Sequence, residues 1–91
     1  MKLILCEECH DVVALKVGRM RQCACGKSMG RYTDDINAEV IGPCVVLGFA
    51  NPSLIRAIME QKTYGDLDSQ KGRRFEAFII PDKAPSVTRR E

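Results

Sequence analysis

Tryptophan is absent from this 91-residue chain, and aromatic side chains are scarce, with two tyrosines and three phenylalanines. A platform of stacked aromatics, the usual device for holding single-stranded nucleic acid, has little to build from. There is one histidine, His10. That excludes the paired-histidine helix of a zinc protease and leaves any Ser or Cys nucleophile short of a positioned base. No glycine-rich phosphate loop occurs. No apolar run approaches the ~18 residues of a membrane span. The opening Met1-Lys2-Leu3-Ile4-Leu5-Cys6 holds three apolar residues before its cysteine. A secretory core needs about 7–15, so no export signal is expected and the expected compartment is the cytoplasm. Neither sign of charge dominates: 14 Lys+Arg stand against 12 Asp+Glu, a net +2. A strongly basic nucleic-acid coat is thereby excluded, though a local patch is not.

What is present is a folded-domain composition, 45% apolar and 29% charged, on a chain long enough for one domain and too short for two. Five cysteines stand out: Cys6, Cys9, Cys23, Cys25 and Cys44. Five is odd, so a complete internal disulfide framework is impossible, and in a reducing compartment paired thiols point to metal or redox chemistry. The spacing is C-x-x-C, thirteen residues, then C-x-C-G. Each close pair can form a tight turn offering two thiolates to one side, and two such turns complete a tetrahedron. Cys6, Cys9, Cys23 and Cys25 are therefore the expected ligands of a structural zinc ion. Iron takes the same four-sulfur shell, so the spacing leaves zinc against iron open.

Three rival readings of these thiols carry less. Cys6-Glu7-Glu8-Cys9-His10 matches the C-x-x-C-H of covalent haem attachment, but that chemistry needs export and leaves Cys23 and Cys25 unexplained. A thioredoxin-like redox pair wants its C-x-x-C at a helix N-terminus, and the β-branched run that follows opposes a helix. Unrelated free thiols do not account for four cysteines in twenty residues. His10 is expected on the surface beside the first turn. Cys44, within Ile41-Gly42-Pro43-Cys44-Val45-Val46-Leu47, is expected as a small buried hydrophobe.

The pattern along the chain gives an α+β class. Residues 12–17 read as a strand, Gly18-Arg19 as a turn and 20–23 as the returning strand of a metal-bearing hairpin. Gly26 sits where a positive φ would turn backbone N–H groups toward the sulfurs. Strands are expected over 28–33 and 38–41, with Gly42-Pro43 stopping the second. The apolar run 44–49 reads as a strand buried on both faces. Asn51 reads as an N-cap and Pro52 as the first helical residue. Over 52–62, Leu54, Ile55, Ile58 and Met59 form one apolar stripe. Residues 65–72 read as a loop, and 73–80 as a final strand with Phe75 and Phe78 serving the core. The expected architecture is a zinc-ribbon-like hairpin head (1–33) on a small, mostly antiparallel sheet with one covering helix (34–81). Residues 1–81 make a single domain, and 82–91 a flexible tail.

Leu5-Cys6-x-x-Cys9, the run Cys23-x-Cys25-Gly26-Lys27-Ser28-x-Gly30-Arg31-Tyr32, and Leu47-Gly48-Phe49-Ala50-Asn51 before an aromatic strand resemble small zinc-ribbon proteins. Those proteins are carried by bacteriophages and prophages and mostly lack an assigned function. The likeness covers most of the chain. It implies an accessory protein of a mobile element that binds and modulates a host protein, and it supplies no catalytic residue.

A closed four-thiolate ion has no open position for substrate, so the expected role is a protein-binding module rather than an enzyme. The alternative is a nucleic-acid-binding ribbon. Lys16, Arg19, Arg21, Lys27 and Arg31 fall between residues 12 and 33 with no acidic residue among them. Arg73 and Arg74 form a second basic cluster, and Tyr32 is placed to stack on a base. A third reading brings Arg31, Tyr32, Asn51, Arg73 and Arg74 together on a small anionic ligand such as a nucleotide. Four thiolates and one divalent ion add −2, so the filled site would bring the chain near neutrality. That favours a protein partner over general affinity for nucleic acid.

Overall fold

The structure is a computed structural model and describes residues 1–64 and 72–90. The chain is α+β. In order, β1 is Lys2–Cys6, β2 Val12–Ala14, β3 Arg21–Gln22, β4 Met29–Tyr32, β5 Ala38–Ile41 and β6 Cys44–Phe49. Then follow α1 (Asn51–Tyr64), β7 (Ala77–Ile80) and β8 (Val87–Arg90). The strands form two sheets rather than the one expected. One has the order β2-β1-β6-β7 and the other β3-β4-β5-β8. All pairings are antiparallel except β5 with β8.

Period-2 patterning places the core between the sheets. On β1 and β6 the inward rows are Ile4 and Cys6, and Cys44 and Val46, set opposite one another by the register Ile4↔Val46 and Cys6↔Cys44. They meet Ala38, Val40 and Val87 of the second sheet, with Leu15 and Cys23 closing the cluster. The run 44–49, expected to be buried on both faces, alternates instead: Cys44, Val46 and Gly48 are buried while Val45, Leu47 and Phe49 are half-buried. Its outer row is apolar yet lies outside the core.

The hairpin expected between the two cysteine pairs does not form. β2 pairs with β1 and β3 with β4, so each cysteine pair sits in the bend of its own hairpin. Local closure explains this: Cys6 donates its N–H to the Asp11 carbonyl and His10 to the Cys6 carbonyl, folding residues 12–14 back onto β1. The strand expected over 12–17 therefore divides. Beyond the buried Leu15 it crosses to the second sheet, where Gly18 donates to the Tyr32 carbonyl and Tyr32 to that of Lys16. Gly18, at φ 76°, keeps the expected turn. With β1 central in one sheet, residues 1–33 are not a separate head.

The C-terminal segment corrects the expected flexible tail. Val87 is buried, β8 pairs with β5, and two arginines anchor the strand. Arg89 donates to the carbonyls of Gly42 and Cys44 and to Asp82. Arg90 Nη1 lies 3.2 Å from Glu39 Oε2, while Arg31 takes the other carboxylate oxygen. The absence of an apolar cluster in 82–91 hid this, because backbone pairing and charged hydrogen bonds supply the order.

Helix α1 extends two residues further at its C-terminal end than expected, to Tyr64. Its first intrahelical bond is accepted by Ala50, and Asn51 does not cap it: Asn51 Oδ1 instead accepts from the Met1 amino group at 3.1 Å. The expected apolar stripe does not cover a sheet. Only Ala57 is buried, and Ile55, Ile58 and Met59 are exposed. Residues 72–75 run beside the helix, with Gly72, Arg73 and Phe75 sharing a groove with Leu54, Ala57 and Ile58. The strand expected over 73–80 is β7, four residues rather than eight. Phe75 and Phe78 stay partly exposed rather than filling the core, Phe75 against Phe49 (ring centroids 5.0 Å apart, 72° between planes) and Phe78 over Gly48. The loop expected at 65–72 lies, except for Gly72, outside the described residues. No helix among the described residues is long and apolar enough to cross a membrane.

Two guanidinium groups hold the Glu39 carboxyl below its ordinary value, the Arg31 hydrogen bond contributing most. A folded-state value below the unfolded one stabilises above the unfolded value and is lost as pH falls through the folded one. Glu39→Gln should therefore lower the thermal midpoint at pH 7. The gap to wild type should shrink toward pH 4, as read by thermal melts across that range.

Candidate metal centre

The four sulfurs arrive from two bends that are separate in sequence. Cys6 ends β1 and Cys9 follows in the bend, where His10 takes a left-handed backbone (φ 61°) that carries the chain toward β2. Cys23 and Cys25 sit in the bend between β3 and β4. Gly26, at φ 78°, donates to the Cys23 carbonyl at 3.0 Å, the turn its position after C-x-C demanded. Asp11 ties the two bends together: its Oδ2 accepts the Ala24 N–H at 2.9 Å.

All four Sγ atoms lie within 4.8 Å of one another, with Cys6 to Cys25 at 3.7 Å and Cys23 to Cys25 at 3.4 Å. A tetrahedral ion with metal–sulfur bonds of ~2.3 Å needs sulfurs ~3.8 Å apart. The donor set and its spacing fit such an ion. Cys6 and Cys23 are buried, Cys9 is half-buried and Cys25 exposed, so one side of the cluster is sealed by the core and the other faces outward.

The surroundings favour negative sulfur. Ser28 is fully buried, its hydroxyl has no hydrogen-bond partner, and its nearness to the Cys6 sulfur holds that thiol below its ordinary value. Burial pushes Cys23 up, but the Ser28 N–H (3.4 Å from Sγ) and the neighbouring thiols outweigh this and bring it to about 6. Cys25 receives the Lys27 N–H, which pulls it down, yet burial and sharing of its proton with the other sulfurs push it up to about 12. Closely spaced sulfurs thus pull one another's thiols in opposite directions, and a cation bound among them would favour the thiolate form of each. Neither Ser28 nor Asp11 was assigned to the site from sequence. Ser28 follows C-x-C-G-K, the one local signal. Nothing in the sequence brings Asp11 to the second bend.

The remaining site candidates separate. Lys27 lies 4.0 Å from Glu8, and both are exposed. Arg31 is engaged by Glu39 and the Gly18 carbonyl. Lys16, Arg19 and Arg21 line one cleft with Met20 and Gln22. Arg73 lies in the groove beside α1, and the exposed Arg74 follows it. Tyr32 is not free to stack: its hydroxyl accepts the Lys2 N–H at 2.6 Å and Lys2 Nζ lies 5.5 Å over its ring. Asn51 is held to Met1 as well, so three of the five residues expected around a small anion, Arg31, Tyr32 and Asn51, are each engaged by a separate partner. Cys44 is buried as expected, and burial pushes its thiol up. His10 is exposed in its bend.

Compared with family models, curated proteins and solved structures, the chain has no significant match.

Two outcomes test the centre. Metal content should fall from one ion per chain on Cys6→Ser or Cys23→Ser, and the affinity of the metal-free protein should weaken steadily on acidification, as read by competition with a chromophoric chelator. Gly42 is the second test. At φ 96°, a Cβ there would stand 2.0 Å from the Lys27 carbonyl oxygen beside the second bend. Gly42→Ala should cost about 1–3 kcal/mol from backbone strain alone, read as a lower denaturant midpoint.

Proposed function

We propose that this chain is a structural-zinc module, an accessory protein of a bacteriophage or prophage that acts in the cytoplasm by binding and modulating a host protein, and is not an enzyme. The observation that carries this is the four-sulfur cluster. Four thiolates complete a tetrahedral shell, so an ion held there has no position for water or substrate and its role is to hold the two hairpins together. Zinc is the proposed ion. It has no redox chemistry and no geometric demand beyond the tetrahedron these bends offer, whereas iron in the same shell would give the protein a visible colour. Two small sheets bury a limited core, and a metal cross-link offsets that deficit. The outer row of β6 and the exposed side of α1 supply apolar surface for a protein partner.

A second reading is favoured by a separate observation. Lys16, Arg19 and Arg21 share one cleft next to the second cysteine bend and form no ion pair among the described residues. Three guanidinium and ammonium groups in one cleft suit phosphates of a nucleic acid. Lys27 and Arg31, engaged by carboxylates, would add little.

The test is purification of tagged protein from the bacterial host with metal analysis of the same sample. A colourless preparation holding one zinc per chain and a defined protein retained after nuclease treatment is the expected result. Retention of nucleic acid alone, lost between about 50 and 200 mM salt and on charge reversal at Arg19 and Arg21, would replace this reading with the second one.

A further inference from the structure

Ser28 is fully buried, yet its hydroxyl has no hydrogen-bond partner. Burying a hydroxyl unpaired is costly, and an alanine would occupy the same place without that cost. The residue is nevertheless fixed from two sides. Its carbonyl accepts the Cys23 N–H at 3.0 Å, and its own N–H points back at the Cys23 sulfur, 3.4 Å away. On the other side, Gly42 comes so close that a Cβ there would stand 3.0 Å from the Ser28 Cα. The side chain is thereby kept beside the Cys6 sulfur. Otherwise, among the described residues, the nitrogen and oxygen donors to the ligand sulfurs are main-chain N–H groups. Glu8 and Cys9 serve Cys6, Ser28 serves Cys23 and Lys27 serves Cys25.

We propose that Ser28 is a positioning residue of the metal centre, whose Oγ–H donates to the Cys6 sulfur when that sulfur is a metal-bound thiolate. This rests on the four-sulfur reading above and adds to it a residue that is not itself a ligand. The charge on sulfur carries the argument. A neutral thiol is a weak acceptor. A thiolate bears a full charge, and hydrogen bonds to charged groups are roughly twice as strong as neutral ones. Four thiolates around one divalent ion keep a net −2, and Cys6 lies at the buried side of the cluster, where water does not reach it. In such surroundings a made bond is worth more and a missing one costs more. A hydroxyl suits the place, because it rotates to meet its acceptor without any movement of the pinned backbone. The bond fixes the direction of the Cys6 sulfur and supports its negative charge from within the protein. Since the remaining donors belong to the main chain, Ser28 is the position at which a side chain sets the strength of the site.

Ser28→Ala in the full chain, loaded with each of two metals, is the test. Alanine fits within the space of serine, so the fold and the uptake of one zinc ion per chain should survive. Zinc affinity, measured by competition with a chromophoric chelator, should fall about 10–100-fold. Cobalt(II) takes the same tetrahedral sulfur shell and absorbs light by transfer of a sulfur electron to the metal. A donor on the sulfur lowers the energy of that electron, so the band of the variant should move to longer wavelength. Val40→Ala is the packing control: Val40 is fully buried and offers no side-chain donor. It should lower the denaturant midpoint and leave the cobalt band in place. A band that does not move in Ser28→Ala, whatever the affinity does, would overturn the proposal. So would a loss of zinc affinity of less than about tenfold. A wild-type protein that takes up no metal would overturn the four-sulfur reading and this proposal with it. A wild type holding one zinc ion, with Ser28→Ala indistinguishable from it, would overturn the proposal alone.

Discussion

The closure of two short hairpins on one cluster of four sulfurs is the constraint on which the rest of the molecule depends. Cys6 ends a strand central to one sheet, and Cys23 and Cys25 sit at the head of the other. Bringing these sulfurs within 4.8 Å sets the two sheets against each other at one end. The inward rows of Ile4, Val46 and Val40, all fully buried, then meet between them. The hydrogen bonds around the bends serve the same end. Asp11 reaches the Ala24 N–H, and the buried Ser28 turns its N–H to the Cys23 sulfur. The first ties the two bends to each other, and the second gives a buried sulfur a donor in place of water.

Away from the cluster the fold is closed by charge rather than by apolar burial. Glu39 projects from β5 with little exposure and is met by Arg31 from β4 and Arg90 from β8. Arg89 reaches back to the Gly42 and Cys44 carbonyls. A C-terminal strand with one buried apolar side chain is thus bound in place by donors that are always charged. The same bonding removes Arg31 from any role in holding a ligand. The basic residues that remain together are Lys16, Arg19 and Arg21.

The molecule then has two unlike surfaces. Around the second cysteine bend it is basic and polar. On the far side of the first sheet and along α1 it is apolar and open. The compact core uses the inner rows of the strands and leaves the outer row of β6 and the stripe on α1 for something else.

How much of this was legible follows a physical rule. The sequence by itself determined the four-cysteine cluster, a turn at Gly18, the left-handed turn at Gly26, and strands at 38–41 and 44–49. It also determined the helix that opens near Pro52 and the burial of Cys44. Each of these rests on spacing or backbone preference within a few residues. Only the tertiary structure decided which strands pair. The β-branched run after Cys9 was readable as extended but not as divided between two sheets, because pairing energy depends on which edge is within reach. Tertiary structure alone placed Asp11 against the second bend, ordered residues 87–90 as a strand, and left Ile55, Ile58 and Met59 without a sheet beneath them. An apolar stripe states that a helix has a side to bury. It does not state against what, since that is settled by where the chain before and after it is held.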